Sequence, residues 1–138
     1  MINCSSCVEG KKSYRMLCSN KLAFALVSRA QGTKGHSVVL PKRHVATIHK
    51  LKHSELIAIH EIIVKTTKML KKTYGYENFV ITTNEGDLLK NVKHLHTHII
   101  PFKKGPALSK YKSLSTSSKK LNPKPLANMA DYIKRRSK

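Results

Sequence analysis

Over residues 92–100, Val92, His94, His96, His98 and Ile100 alternate with Lys93, Leu95, Thr97 and Ile99. A period of two is the pattern of an extended strand, whose side chains point to opposite faces in turn. The stretch therefore predicts a β-strand carrying three imidazoles in a row on one face, ended by Pro101. An ordinary core has little use for such a row, because each buried imidazole needs hydrogen-bond partners. Imidazole titrates near neutral pH, so the row can offer a nucleophile, a metal ligand and an anion-binding donor together.

Around this strand the chain reads as alternating β and α segments. Residues 22–27 and 36–40 form two apolar runs separated by Gly32-Thr33-Lys34-Gly35, which predicts a hairpin with Pro41 ending its second strand. A long helix is expected over 54–72, where Leu56, Ile59, Ile63 and Leu70 mark one stripe. Ile57, Ile62, Val64 and Met69 widen that stripe beyond one core-facing surface, which points to a homodimer interface. Gly75 suits a left-handed cap, and residues 79–83 have the β-branched content of a strand. Residues 103–120 are rich in Lys and Ser and read as a mobile loop. A last helix over 123–136 starts at Asn122-Pro123, shares Leu126, Met129, Ala130 and Ile133 on one face, and ends in Lys134, Arg135 and Arg136.

At 138 residues one domain is expected, with a core large enough to fold without disulfides. No apolar run approaches the ~20 residues that cross a bilayer, so neither a membrane span nor a secretory signal is expected. The formal charge of +20 selects anionic partners, among them nucleotides and nucleic acid. Three cysteines make a poor disulfide framework and favour an intracellular, cytoplasmic setting. Cys4 and Cys7 form a lone CxxC, open to redox, incidental and metal-binding readings. Zinc explains the pair best, with two imidazoles completing a tetrahedral site. Cys18 reads as a small buried hydrophobe.

His94-Leu95-His96-Thr97-His98-Ile99-Ile100-Pro101, preceded by Gly35-His36-Ser37-Val38-Val39-Leu40-Pro41-Lys42-Arg43-His44 and by Asn84-Glu85-Gly86, resembles the histidine triad (HIT) family of nucleotide hydrolases and transferases. The resemblance implies an α+β HIT-like fold, with an antiparallel sheet of about five strands, a long helix and a C-terminal helix. It also implies nucleotidyl transfer through a covalent intermediate. His96 takes the place of the nucleophile, and His98 would contact phosphate oxygens or assist the leaving group. Asn84, Lys90 and Asn91 fall where the family contacts the phosphate region. In members with an N-terminal CxxC, a structural zinc is completed by the histidine before the long helix and the first of the triad, which implies Cys4, Cys7, His44 and His94 as ligands.

The chain also departs from the family pattern. Leu89-Lys90-Asn91 replaces a Gly-Gln-Ser/Thr sequence, and Ser28 stands where many members carry a ribose-binding aspartate. These departures keep two alternatives open: a basic module acting on nucleotide-capped nucleic-acid ends, and a nucleotide-binding protein without turnover. His36, although common in the family, is read as a simple hydrogen-bonding residue, and His49, His53 and His60 as helix-surface or interface residues. Lys42, Arg43, Lys103 and Lys104 read as solvated charges.

Overall fold

The computed structural model describes residues 4–89, 93–104 and 120–138. A short helix α1 (Ser5–Glu9) leads into strands β1 (Met16–Ser19), β2 (Ala23–Val27) and β3 (Ser37–Pro41). The long helix α2 (His53–Tyr74) follows, then β4 (Asn78–Thr83), β5 (Thr97–Phe102) and the final helix α3 (Pro123–Arg136). The five strands form one antiparallel sheet in the order β1-β2-β3-β5-β4. Because α2 carries the chain from β3 past a vacant lane to β4, β5 returns to fill that lane. His98 is thereby flanked by Val38 on one side and Thr82 on the other.

β2 and β3 are buried along their whole length, which explains their continuous apolar sequence. Ala23, Ala25, Val27, Val39 and Ile99 face the helices and pack with Ile59, Ile62 and Leu70 of α2 and Leu126, Ala130 and Ile133 of α3. Phe24, Leu26, Val38 and Leu40 form a second apolar cluster. The register puts His98 beside Val38, on the face of the sheet away from the two helices. Gly35 turns the β2–β3 connection at φ 94°, and a Cβ there would sit 3.0 Å from Leu70, so both the turn and the helix packing call for glycine.

The expected helix over 54–72 is α2, extended by one residue at its start and two at its end, and Gly75 closes it in the left-handed region at φ 75°. Glu55 accepts a hydrogen bond from the Lys52 N–H at 2.9 Å and pairs with Arg43 at 2.8 Å. Arg43 is thus part of the α2 start rather than a free surface charge. The buried stripe of α2 is Ala58, Ile59, Ile62, Thr66 and Leu70, whereas Leu56 stands 43% exposed. The apolar width of this helix is therefore partly surface.

Apart from two elements that no expectation covers, one expectation needs correction. β1 and α1 lie in a stretch whose short, mixed composition carried no clear period. Pro41 ends β3 as expected, as its last residue and paired with Ala23. The triad strand runs over Thr97–Phe102, so Pro101 lies within it and His94 and His96 precede it. The reason is local: β3 pairs with β5 only from Ser37 to Val39. Beyond that register the Leu95 N–H bonds to the Val45 carbonyl at 2.7 Å. The expected loop over 103–120 lies largely outside the described residues.

Candidate active site and metal centre

The triad histidines occupy three different environments. His94 is fully buried, and its Nε2 donates to the Pro41 carbonyl at 2.7 Å. That bond leaves the Nδ1 lone pair directed at Cys7 Sγ, 3.5 Å away, and Cys4 Sγ, 3.6 Å away. His44 brings its Nδ1 to 3.4 Å from Cys7 Sγ. The four donor atoms all lie within 4.8 Å of one another. α1 makes this possible, since Cys4 at its N-cap and Cys7 one turn on share a side of the helix.

The cluster fits a cation. Tetrahedral thiolate–imidazole sites have donor–donor edges of about 3.5 Å, as follows from metal–sulfur and metal–nitrogen bonds of about 2.3 and 2.0 Å. Burial, and then the adjacent Cys4, push the Cys7 thiol up, so a bare pair of thiolates would be disfavoured here. Burial pushes His94 down, which keeps its imidazole neutral and able to ligate. These residues could hold a metal ion with four protein ligands.

His96 is half-buried, and its Nδ1 lies 2.9 Å from the His94 carbonyl oxygen. A carbonyl only accepts, so Nδ1 carries the proton and Nε2 keeps a free lone pair. The His96 and His98 rings stand 4.9 Å apart. His98 Nδ1 lies 2.9 Å from Nε2 of His36, which opens the turn into β3. The Gly32 N–H donates to His36 Nδ1 at 3.2 Å, so the His36 proton is on Nε2 and is given to His98. His98 must then carry its own proton on Nε2. Burial, and then the neighbouring imidazole, push His36 down to about 3 and His98 down to about 4. Near neutral pH the arrangement is a neutral relay: His36 donates to His98, and His98 offers an N–H outward.

Asn84 follows the last residue of β4, Thr83, which pairs with Thr97. Asn84 thus leaves β4 at the end where β5 begins, one residue after His96. Lys90 and Asn91 lie outside the described residues. Ser28 is buried with its N–H donated to the His36 carbonyl at 2.8 Å, and its neighbour Arg29 reaches Glu9 at 3.6 Å. His36 is the functional-site residue that sequence reasoning passed over. Its signal was present, since His36, Val38 and Leu40 alternate as the strand face that packs beside His98.

Comparison with known proteins bears directly on this geometry. The HIT domain profile matches residues 9–105. The chain belongs to the histidine triad family. It is 33% identical over 103 residues to an adenosine 5′-monophosphoramidase of Schizosaccharomyces pombe, covering 72% of this chain and 74% of that protein. It is also 33% identical over 85 residues to an asymmetrical bis(5′-nucleosyl)-tetraphosphatase of the same organism, covering 61% of this chain and 47% of that one. A zinc-bound histidine triad family protein of Mycobacterium smegmatis superposes with a TM-score of 0.75 over 98% of this chain and 93% of its own, at 14% identity. At that identity the likeness speaks for the fold. The family-level activity is nucleotide hydrolysis, and the α+β five-stranded sheet is the HIT fold.

Proposed function

We propose that the protein is a nucleotide hydrolase or nucleotidyl transferase acting at the α-phosphate of a nucleoside phosphoramidate or dinucleoside polyphosphate. The observation that carries this reading is the His96 tautomer, Nδ1–H bound to the His94 carbonyl with Nε2 free. In the first step His96 Nε2 attacks phosphorus, an N–P bond forms, and the bond from phosphorus to the leaving nitrogen or oxygen breaks. The leaving group departs with the electron pair. In the second step water attacks the same phosphorus and gives up a proton to solvent, the N–P bond breaks with its electron pair returning to Nε2, the mononucleotide leaves and the imidazole is regenerated.

His98 serves as a neutral Nε2–H donor to a non-bridging phosphate oxygen or to the leaving group, its tautomer held by His36. Asn84 binds phosphate through its amide, and Lys90 and Asn91 are assigned to the same region. Ser28 lacks a carboxylate for the ribose hydroxyls, so ribose contributes less to recognition than the phosphates do.

Cys4, Cys7, His44 and His94 are the ligands of one structural zinc. Four protein ligands close the coordination shell, so the ion supplies local stability and leaves the reacting phosphate to the imidazoles. The chain is further assigned as a homodimer, because Leu56, Ile57 and Val64 of α2 and Ile81 on edge strand β4 are exposed together. Leu56 and Ile81 line a groove of ≈ 260 Å³ whose lining also includes His60 and His96.

The deciding experiment incubates the protein with labelled adenosine and guanosine phosphoramidates and dinucleoside polyphosphates. Mononucleotide product together with acid-labile label on His96 is expected. Binding of these nucleotides without product would replace the reading with that of a nucleotide-binding protein.

A further inference from the structure

The C-terminal halves of α2 and α3 lie side by side on the helical layer. Thr73 Oγ1 donates to the Ile133 carbonyl at 3.4 Å, the Tyr74 and Tyr132 rings are 5.9 Å apart, and Lys72 Nζ reaches the Lys138 backbone carbonyl. On α2, Lys65, Lys68 and Lys72 are exposed and repeat at the spacing of one helical stripe, about 10 Å from first to last. Arg135, Arg136 and Lys138 are exposed at the end of α3. Between residues 62 and 74 there is no carboxylate, and between 123 and 138 only Asp131, which is paired with Lys134 at 3.5 Å. The next acidic residue along the chain, Glu77, lies past the Gly75 cap.

Helix dipoles explain part of this charge. Each C-terminus carries roughly half a negative charge, so two ends call for about one cation. Counting Lys71 and Lys134, the two helix ends carry eight cations against one side-chain carboxylate, and Lys72 links them by reaching the backbone of Lys138. An open groove of ≈ 650 Å³ runs along Asn128, Asp131, Lys134, Arg135 and Lys138. The α2–α3 layer packs on Ala25, Val27 and Val39, whereas His98 aligns with Val38 on the other face of the sheet. The groove along α3 also shares no lining residue with the groove that holds His96, which meets α2 at its N-terminal half through Leu56, Ile59, His60 and Ile63.

We propose that this face docks single-stranded nucleic acid through its phosphates. Membrane docking fits the chemistry less well. A surface-lying helix needs an apolar face to insert, and Leu126, Ala130 and Ile133 of α3 are already buried in the core. The exposed surface instead combines cations with one half-exposed aromatic, Tyr132, against which Arg136 lies at 6.0 Å. Backbone cations with an interleaved aromatic are what a sequence-tolerant strand requires.

The test uses the full chain and a fluorescein-labelled oligouridylate of twenty nucleotides, followed by anisotropy at increasing salt. Binding at low salt with a steep log–log salt dependence is expected. Lys68→Glu with Lys72→Glu and Arg135→Glu should weaken it at least tenfold and lower the slope by about 2, at about 0.7 per lost phosphate contact on a single strand. Nucleotide hydrolysis should be unchanged. A control with the same charge change at exposed Lys11, Lys12 and Lys50 should keep most of the binding. If a Glu variant melts early, the Gln versions at the same three positions replace it. No binding at low salt, equal loss in the control, equal competition by polyglutamate, or capture by phosphatidylserine vesicles in preference to RNA would each overturn the proposal.

Discussion

The backbone carbonyl of His94 accepts the Nδ1 proton of His96 at 2.9 Å, while the His94 imidazole points into the Cys4–Cys7–His44 cluster. One residue thus serves two sites. Its side chain belongs to the cluster that could hold a metal ion, and its main chain accepts the proton of the proposed nucleophile. Since the Pro41 carbonyl holds the other His94 nitrogen, the His94 peptide is fixed from both ends, and so is the His96 ring.

His96→Asn keeps the size and polarity of the side chain and removes the attacking nitrogen. Turnover of a nucleoside phosphoramidate should fall by orders of magnitude while folding and nucleotide affinity survive. His98→Asn should slow turnover less completely. Steady-state kinetics and circular dichroism check both, and near wild-type turnover in His96→Asn would end the covalent mechanism.

Protein purified without added metal should contain close to one zinc per chain by elemental analysis. Cys7→Ala should lose the metal and lower Tm, because binding free energy at such a site is folding free energy. It should also reduce kcat with little change in KM, since the His94 peptide that orients His96 loosens. Metal-free wild-type protein with an unchanged Tm would refute the assignment.

The His36–His98 pair makes a prediction about acid. Both are neutral when folded, with values pushed to about 3 and about 4. In the unfolded chain they titrate near 6.5. Between those limits the unfolded state binds more protons, so stability rises with pH and falls as pH drops from about 6.5 toward 4. His36→Gln should flatten that slope while costing stability at pH 7. Urea unfolding at several pH values measures the difference, and identical slopes would count against the relay.

Light scattering at micromolar concentration should report about twice the 15.6 kDa chain mass. Ile57→Lys combined with Ile81→Lys places charge in the exposed apolar patch and should return the monomer mass. A monomeric wild type would exclude the assembly.

The alternation of His94, His96 and His98 suggested one continuous strand face, yet only His98 lies in the ladder. Periodicity reads an extended backbone and is blind to where a partner strand stops. β3 ceases to pair with β5 after Val39, and the two earlier histidines are held by other contacts, His94 by its side chain and His96 by a backbone carbonyl. His36 was passed over for a related reason, since its role exists only once β5 is inserted beside β3.

Local rules were sufficient for α2, for the Gly75 cap, for the Asn122-Pro123 start of α3 and for the apolar runs of β2 and β3. Those features depend on residues within a few positions of one another. The spacing of the triad and the pattern around His44 were likewise enough to indicate the family. The resemblance had already grouped Cys4 with His94, 90 residues apart, but only the tertiary structure brought His36 to His98 across 62 and gave both contacts their geometry. Both contacts depend on the order β1-β2-β3-β5-β4 and on the seating of α1. A thiol or imidazole at a given position has the same local propensity whether or not a partner faces it, so strand order and register had to decide which ones meet.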